Sequence, residues 1–313
     1  KLPAPEYLWY SRAMTMSAVN NTNKSLSSFE MATMIEPDYA AAWEGKGDLF
    51  KKYNKWADSS DAFKQALSVN SDSAKLWHKY AIVSQKAGDL QTALYAYGRV
   101  VENDPDNGDA LYNRGLIYDK LGSFRNAANA YQKYLSLEPK DMNAWNLLAQ
   151  SAHKARMYDV SLNAIDTVIN NQPSNQDALY LKSDNLEKMG RFSDAIVVYD
   201  KILDSDPENQ DALFNKGLAF ENIGQYQKAI ECYEQLLAVN PQHVTAMEHK
   251  GFNLYLLGEY NKADVVYDQI LKLQPNNADA LYHKATIKYL LSSYAGSIKY
   301  YDRLLEVKPN CIT

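Results

Sequence analysis

Side chains that could bind a metal, attack a carbonyl or shuttle a proton at neutral pH are few in this 313-residue chain. Five histidines (His78, His153, His243, His249 and His283) and two cysteines (Cys232 and Cys311) make up the stock. The cysteines stand far apart, so neither a disulfide framework nor a four-thiolate zinc site is available, and such usage fits a reducing cytoplasm. The chain contains no G-x-S-x-G, glycine-rich phosphate loop, H-E-x-x-H or C-x-x-C. The motifs of acyl transfer, nucleotide binding, zinc hydrolysis and thiol redox chemistry are therefore missing, and neither catalysis nor a cofactor is expected. With 33 basic against 38 acidic residues the net charge is −5, too mild to draw in phosphate backbones or anionic lipid, so nucleic acid and membrane are excluded as expected partners. No uncharged apolar run approaches the ~18 residues that cross a bilayer. One pair of candidate ligands stands out, because His249 and His283 are 34 residues apart.

That spacing is the period of the whole chain. Eight of the ten prolines (Pro37, Pro105, Pro139, Pro173, Pro207, Pro241, Pro275 and Pro309) fall on one 34-residue grid, and Ser71 fills its single gap. Placing the proline at position 32 divides the chain into nine units: 6–39, 40–73, 74–107, 108–141, 142–175, 176–209, 210–243, 244–277 and 278–311. Residues 1–5 flank the series, and 312–313 read as a truncated end. The sequence begins at Lys1 instead of methionine, so a fragment of a longer chain is expected. Within each unit apolar residues recur at three- and four-residue spacing and break at position 15, which predicts two helices of ~13 residues. Position 15 is glycine at Gly88, Gly122, Gly190, Gly224 and Gly258, suited to the left-handed end of a helix. Position 4 is bulky, positions 8 and 20 are always small, and position 24 is aromatic in eight units, with Ile165 the exception. Large against small at fixed offsets is a packing code, and the position-24 rings, Tyr301 included, are expected in the core.

A 34-residue helix–turn–helix unit with this punctuation resembles the tetratricopeptide repeat, over nearly the whole chain. The resemblance implies an all-α, right-handed superhelical solenoid in which helix A of each unit lines a groove through positions 2, 5, 6, 9, 12 and 13. The abundance of lysine at position 7 and of scattered glutamine and asparagine is similar to the style of such proteins in methanogenic archaea. The implied groove holds Tyr112, Tyr180, Phe214 and Tyr282 at position 5, Leu218 and Phe252 at position 9, and Tyr255 and Tyr289 at position 12. Lys75, Lys79, Asp184 and Asp211 add charge to it. His249, Asp279 and His283 occupy slots that converge on one ligand in the family, so they are candidates for an anion bound by protonated histidine, or for a metal ion, against the plain reading of solvated polar groups. The clamp for chaperone tails is matched only by Lys75 and Lys79, and position 5 is never lysine. A chaperone C-terminus is therefore not the expected ligand.

The expectation is a non-enzymatic, cytoplasmic scaffold that binds a protein or peptide segment with apolar anchors and some positive charge in its groove. Two alternatives stand beside it: a docking arm of a larger enzyme whose catalytic domain lies elsewhere, and a chain that self-associates through its C-terminal end. Basic residues at position 7 (Arg12, Lys46, Arg114, Lys182, Lys216, Lys250 and Lys284) are expected to lay their methylenes on a neighbouring helix and keep their charge in water.

Overall fold

A computed structural model describes residues 3–309. The described residues form eighteen α-helices and no strand. One compact unit ends at Met157 and contains α1 (Pro5–Ala18), α2 (Thr22–Ile35), α3 (Ala40–Lys52), α4 (Trp56–Val69), α5 (Ala74–Ala87), α6 (Leu90–Asn103), α7 (Gly108–Lys120), α8 (Phe124–Leu137) and α9 (Met142–Lys154). The other starts at Tyr158 and contains α10 (Tyr158–Asn171), α11 (Gln176–Lys188), α12 (Phe192–Ser205), α13 (Gln210–Asn222), α14 (Tyr226–Val239), α15 (Val244–Leu256), α16 (Tyr260–Leu273), α17 (Ala278–Leu290) and α18 (Tyr294–Val307). Within each unit every helix packs on the next one in sequence. Cys311 and the end of the ninth repeat fall outside the described residues.

The turns show why the period is so regular. All nine position-15 residues have positive φ: the five glycines, and also Asn20, Asn54, Arg156 and Ser292. A left-handed residue closes each helix A whether or not glycine is there to make it inexpensive. Position 34 then caps the following helix A. Side chains of Ser73, Asn107, Asp141, Asn175, Asn209 and Asn277 accept a backbone N–H three residues on, and His243 does the same through Nδ1. Position-4 tryptophans brace the turn from outside: the Nε1–H of Trp43, Trp77 and Trp145 donates to the position-32 carbonyl of Pro37, Ser71 and Pro139. The carbonyl, not the ring, is what the indole reads, which is why Ser71 can replace proline.

Inside each repeat the position-24 ring lies on the small residue at position 8. A Cβ on Gly47 would stand 2.8 Å from the Phe63 ring, and one on Gly217 would stand 2.6 Å from Tyr233. The serines at position 20 remain buried because their hydroxyls donate to the position-8 carbonyl: Ser25 to Ala13 and Ser59 to Gly47, both at 2.8 Å. Cys232 is buried beside this layer, and burial pushes its thiol up to about 11, so it stays protonated and unreactive. Tyr301 corrects the sequence reading. It is 37% exposed, because among the described residues no helix follows α18 to cover it, and its hydroxyl meets Thr286 at 3.2 Å.

The position-7 cations also depart from expectation, since their charge is paired and not left to water. Lys46 meets Glu30, Lys182 meets Asp166, Lys216 meets Asp200, Lys250 meets Glu234 and Lys284 meets Asp268, at 2.5–3.6 Å. Every one of these acids occupies position 25 of the preceding repeat, so the pairs form a ladder across repeat boundaries. Lys284 is 1% exposed and also reaches Asp264 at 2.7 Å, where Lys288 joins it. Burial alone would raise the Asp264 carboxyl, but hydrogen bonds from the two lysines hold it below its usual value. Arg12 of the first repeat apart, Arg114 is the member without an acid, because position 25 before it is Gly98. Its guanidinium turns to the Tyr118 hydroxyl at 3.3 Å and leaves Nε buried without a partner.

Gly98 has open space where a side chain would stand. Gly98→Glu should therefore raise stability twice over: by about 0.5–1 kcal/mol for replacing glycine in a helix, and by roughly 0.2–1 kcal/mol for a pair with Arg114. Gly98→Gln supplies the first gain without the second. Thermal melts of the two variants in low salt give the difference, and equal melting temperatures would show that the ladder does not extend to Arg114.

Candidate functional site

One recurring hydrogen bond orders position-24 tyrosines in both units. In four of the six repeats where position 24 is tyrosine, position 12 supplies an acceptor: Tyr97 donates to Gln85, Tyr131 to Asp119, Tyr199 to Glu187 and Tyr233 to Glu221, at 2.8–3.0 Å. Burial, aided in the last three by the facing carboxylate, drives these phenols far above their ordinary pKa. In the eighth repeat position 12 is Tyr255, and the pattern breaks. Tyr267 is 1% exposed, yet its hydroxyl has no hydrogen-bond partner.

Around Tyr267 lies a cavity of about 210 Å³ lined by Glu248, His249, Phe252, Tyr267, Asp279 and His283. The structure thus brings together the three residues grouped as an anion or metal candidate, but not as a metal site. Among the described residues no group of three or more His, Cys, Asp or Glu side chains is placed to hold a metal ion. His249 is turned away, with Nδ1 3.1 Å from both oxygens of Glu221, a carboxylate that also accepts from Tyr233 and Asn253. His283 stacks on Tyr267 at 5.3 Å, and burial lowers its pKa despite the opposing pull of Asp279 and Glu248. The imidazole is neutral near pH 7, and the two carboxylates give the cavity a sign that opposes an anion.

Aromatic contacts extend from this cavity. Phe252 stacks on Tyr255 at 6.4 Å and meets His283 at 5.7 Å, while Tyr282 meets His283 at 5.4 Å. Tyr289 is exposed and touches Tyr294. Two expected groove anchors are more structural than the sequence suggests. Phe214 is packed among Tyr233, His243 and His249, and Tyr255 lies half-buried on the Met247–Leu281 core. Leu218 is half-buried beside them. The Tyr180 hydroxyl donates to the capping Asn209 at 2.6 Å, with Asp211 exposed nearby. Asp184 stands 3.7 Å from Lys188.

Tyr112, Lys75 and Lys79 belong to the first unit. Tyr112 packs on Tyr131 and Tyr134. Lys75 is exposed, whereas Lys79 is held by Glu44 at 2.8 Å and Asp48 at 2.5 Å in the preceding repeat. Lys79 is therefore a neutralised member of a local ion-pair cluster, which corrects its reading as a groove cation. Among the described residues no helix is long and apolar enough to cross a membrane.

Comparison with known families settles the class. Models described as tetratricopeptide repeat match residues 45–107, 176–209, 211–243 and 253–310, more than half of the chain between them. The chain is a tetratricopeptide repeat protein. A model of the anaphase-promoting complex, cyclosome, subunit 3, matches residues 86–168. No curated protein gives a significant match. Among solved structures, the C-terminal part of a TPR repeat-containing protein from Cytophaga hutchinsonii is 16% identical, with a TM-score of 0.54 over 76% of this chain and 97% of that one. The MamA RS-1 ArsTM double mutant is 17% identical, with a TM-score of 0.50 over 56% of this chain and 98% of its own. YrrB, a TPR protein with an unusual peptide-binding site, is 20% identical, with a TM-score of 0.47 over 61% of this chain and 98% of its own. Identities at this level speak only to the fold.

Two residues of this repeat protein's cavity, Glu248 and Tyr267, escape a reading by columns, because Tyr267 looks like core and Glu248 stands, with Glu44, in a position-5 column that is mostly aromatic. The readable signal was the missing acceptor at position 12. Phe214→Ala and Tyr255→Ala should each lower stability by about 2 kcal/mol, because both side chains are packed. Phe252→Ala and Tyr282→Ala, 40% and 51% exposed, should fall within about 0.5 kcal/mol of the parent. Circular-dichroism melts separate the two sets, and a parent-like melt for Phe214→Ala would return it to the class of free anchors.

Proposed function

We propose that this tetratricopeptide repeat protein is a non-enzymatic scaffold whose helix-A groove holds an extended or helical segment of a partner protein. The observation that carries the reading is the exposed aromatic cluster of the second unit: Phe252, Tyr282 and Tyr289 are 40%, 51% and 60% exposed, at positions the packing code does not need. Clustered, solvent-facing rings on a rigid framework mark recognition surfaces, since they supply large contact area at little entropic cost. The same proposal takes residues 6–311 as a single cytoplasmic solenoid without a cofactor. Panning a phage-displayed peptide library tests it. Peptides with aromatic or aliphatic anchors should be enriched on the parent and should lose about tenfold or more in affinity for Phe252→Ala/Tyr282→Ala/Tyr289→Ala. Equal binding by that variant would end the groove reading.

A second reading, self-association, is favoured by Asp302. It holds position 25 of the last repeat, the acid rung of the ladder, on a face of α18 where Ile298, Tyr301 and Leu305 are exposed. Arg12 holds position 7 of the first repeat and meets the Ser28 hydroxyl and the Trp9 ring but no acid among the described residues, with Leu8 exposed on the same helix and Val19 exposed just past its end. One molecule's α18 could therefore receive another's α1 in the register that joins consecutive repeats. Sedimentation should show concentration-dependent association that Asp302→Lys abolishes and Asp302→Lys with Arg12→Glu restores. A single monomer mass at all concentrations would eliminate it.

A further inference from the structure

The cavity at Tyr267 has the features of a built subsite and not of a gap in packing. Its buried phenol hydroxyl is unpartnered where four equivalent tyrosines are satisfied, and a buried polar group without a partner is costly to keep. Two carboxylates, Glu248 and Asp279, line the same space. Glu248 accepts one hydrogen bond, from Asn277 at 2.8 Å, and among the described residues neither carboxylate is in an ion pair. The nearest repeat cations are committed elsewhere: Lys250 to Glu234, and Lys284 and Lys288 to Asp264. Phe252, stacked on Tyr255, supplies an aromatic wall. At about 210 Å³ the space is smaller than a drug-sized pocket of ~300 Å³ or more, and suits one side chain.

We propose that this cavity binds the cationic head of a single lysine or arginine side chain from the partner segment. The head would donate to Glu248, Asp279 and the Tyr267 oxygen, and lie against the face of Phe252. The assignment rests on the groove reading above and adds to it the charge of the residue recognised. His249 lines the space but its Nδ1 is committed to the Glu221 carboxylate. His283, stacked on Tyr267, forms the floor.

The test uses the whole chain and two simple cations, n-butylammonium and N-propylguanidinium, which separate lysine-like from arginine-like recognition. The side-chain NMR signals of His283, identified with His283→Gln, are followed at constant ionic strength and pH 7.5. At least one cation should shift them saturably below about 50 mM, and Glu248→Gln/Asp279→Asn should weaken the response about tenfold or more. Tyr267→Phe should weaken binding while melting no earlier than the parent, because it removes an unsatisfied hydroxyl from the core. An equal response to n-butanol or to propionate, a cation response that survives the double carboxylate variant, or no saturable shift would each overturn the assignment. Peptide panning distinguishes the two levels of failure: enriched peptides that need Phe252 and Tyr282 but carry no lysine or arginine preference would leave the groove standing without its cation site.

Discussion

The contact on which the rest depends is the aromatic ring of position 24 lying on the small residue of position 8. Gly115 under Tyr131 and Gly251 under Tyr267 have no room for a methyl group, so the two helices of a repeat are held at a distance set by ring thickness. Close-packed interiors do not deform continuously, and a spacing fixed in one repeat is passed to the next through shared helices. The serine or alanine at position 20 completes the same layer and, at Ser25 and Ser59, satisfies its hydroxyl on the carbonyl beneath. Exposed helix-A positions outside this layer, such as Phe252 and Tyr282, can vary without disturbing the stack.

The ion-pair ladder is a second, weaker order built on the first. An acid at position 25 and a cation at position 7 of the next repeat meet only because the ring layer sets the helices at one spacing. Exposed pairs of this kind contribute modestly. The buried Lys284 differs, since removing either partner would strand a charge away from water. Such pairs also carry register information: a repeat slipped by one residue would set lysine against lysine or against an apolar face. The ladder is discontinuous where Tyr80 and Leu148 replace the cation, so apolar packing alone suffices at those boundaries.

Fold and candidate site draw on the same residues in different ways. In four repeats the position-24 tyrosine places its ring in the core and its hydroxyl on a position-12 acceptor. In the eighth, exchange of that acceptor for Tyr255 keeps the ring contact and releases the hydroxyl, so a core residue becomes part of a polar cavity. Glu248 and Asp279 then set the sign of the cavity, and the half-buried His283 stays neutral beside them. The unpartnered hydroxyl thus follows from one substitution in a hydrogen bond that four repeats share, and the charge from the two carboxylates beside it.

The proline grid, the small residues at positions 8 and 20 and the position-24 aromatics were enough to determine the helix pairs, their turns and most of the core, because these features depend on neighbours at fixed offsets within one repeat. Gly88 and its equivalents announced the left-handed turns, although Arg156 and Ser292 show that the turn is imposed by the packing of both helices and not by glycine itself. The fate of the position-7 lysines, the exposure of Tyr301, the packing of Phe214 and the neutralisation of Lys79 were decided only by tertiary structure. Each depends on which side chain of another helix comes within a few ångströms, and a single column of the repeat does not hold that distance. Asp279 and His283 could be grouped through the family resemblance, but the orphaned hydroxyl of Tyr267 and the carboxylate of Glu248 beside them emerged only when α15, α16 and α17 were brought together.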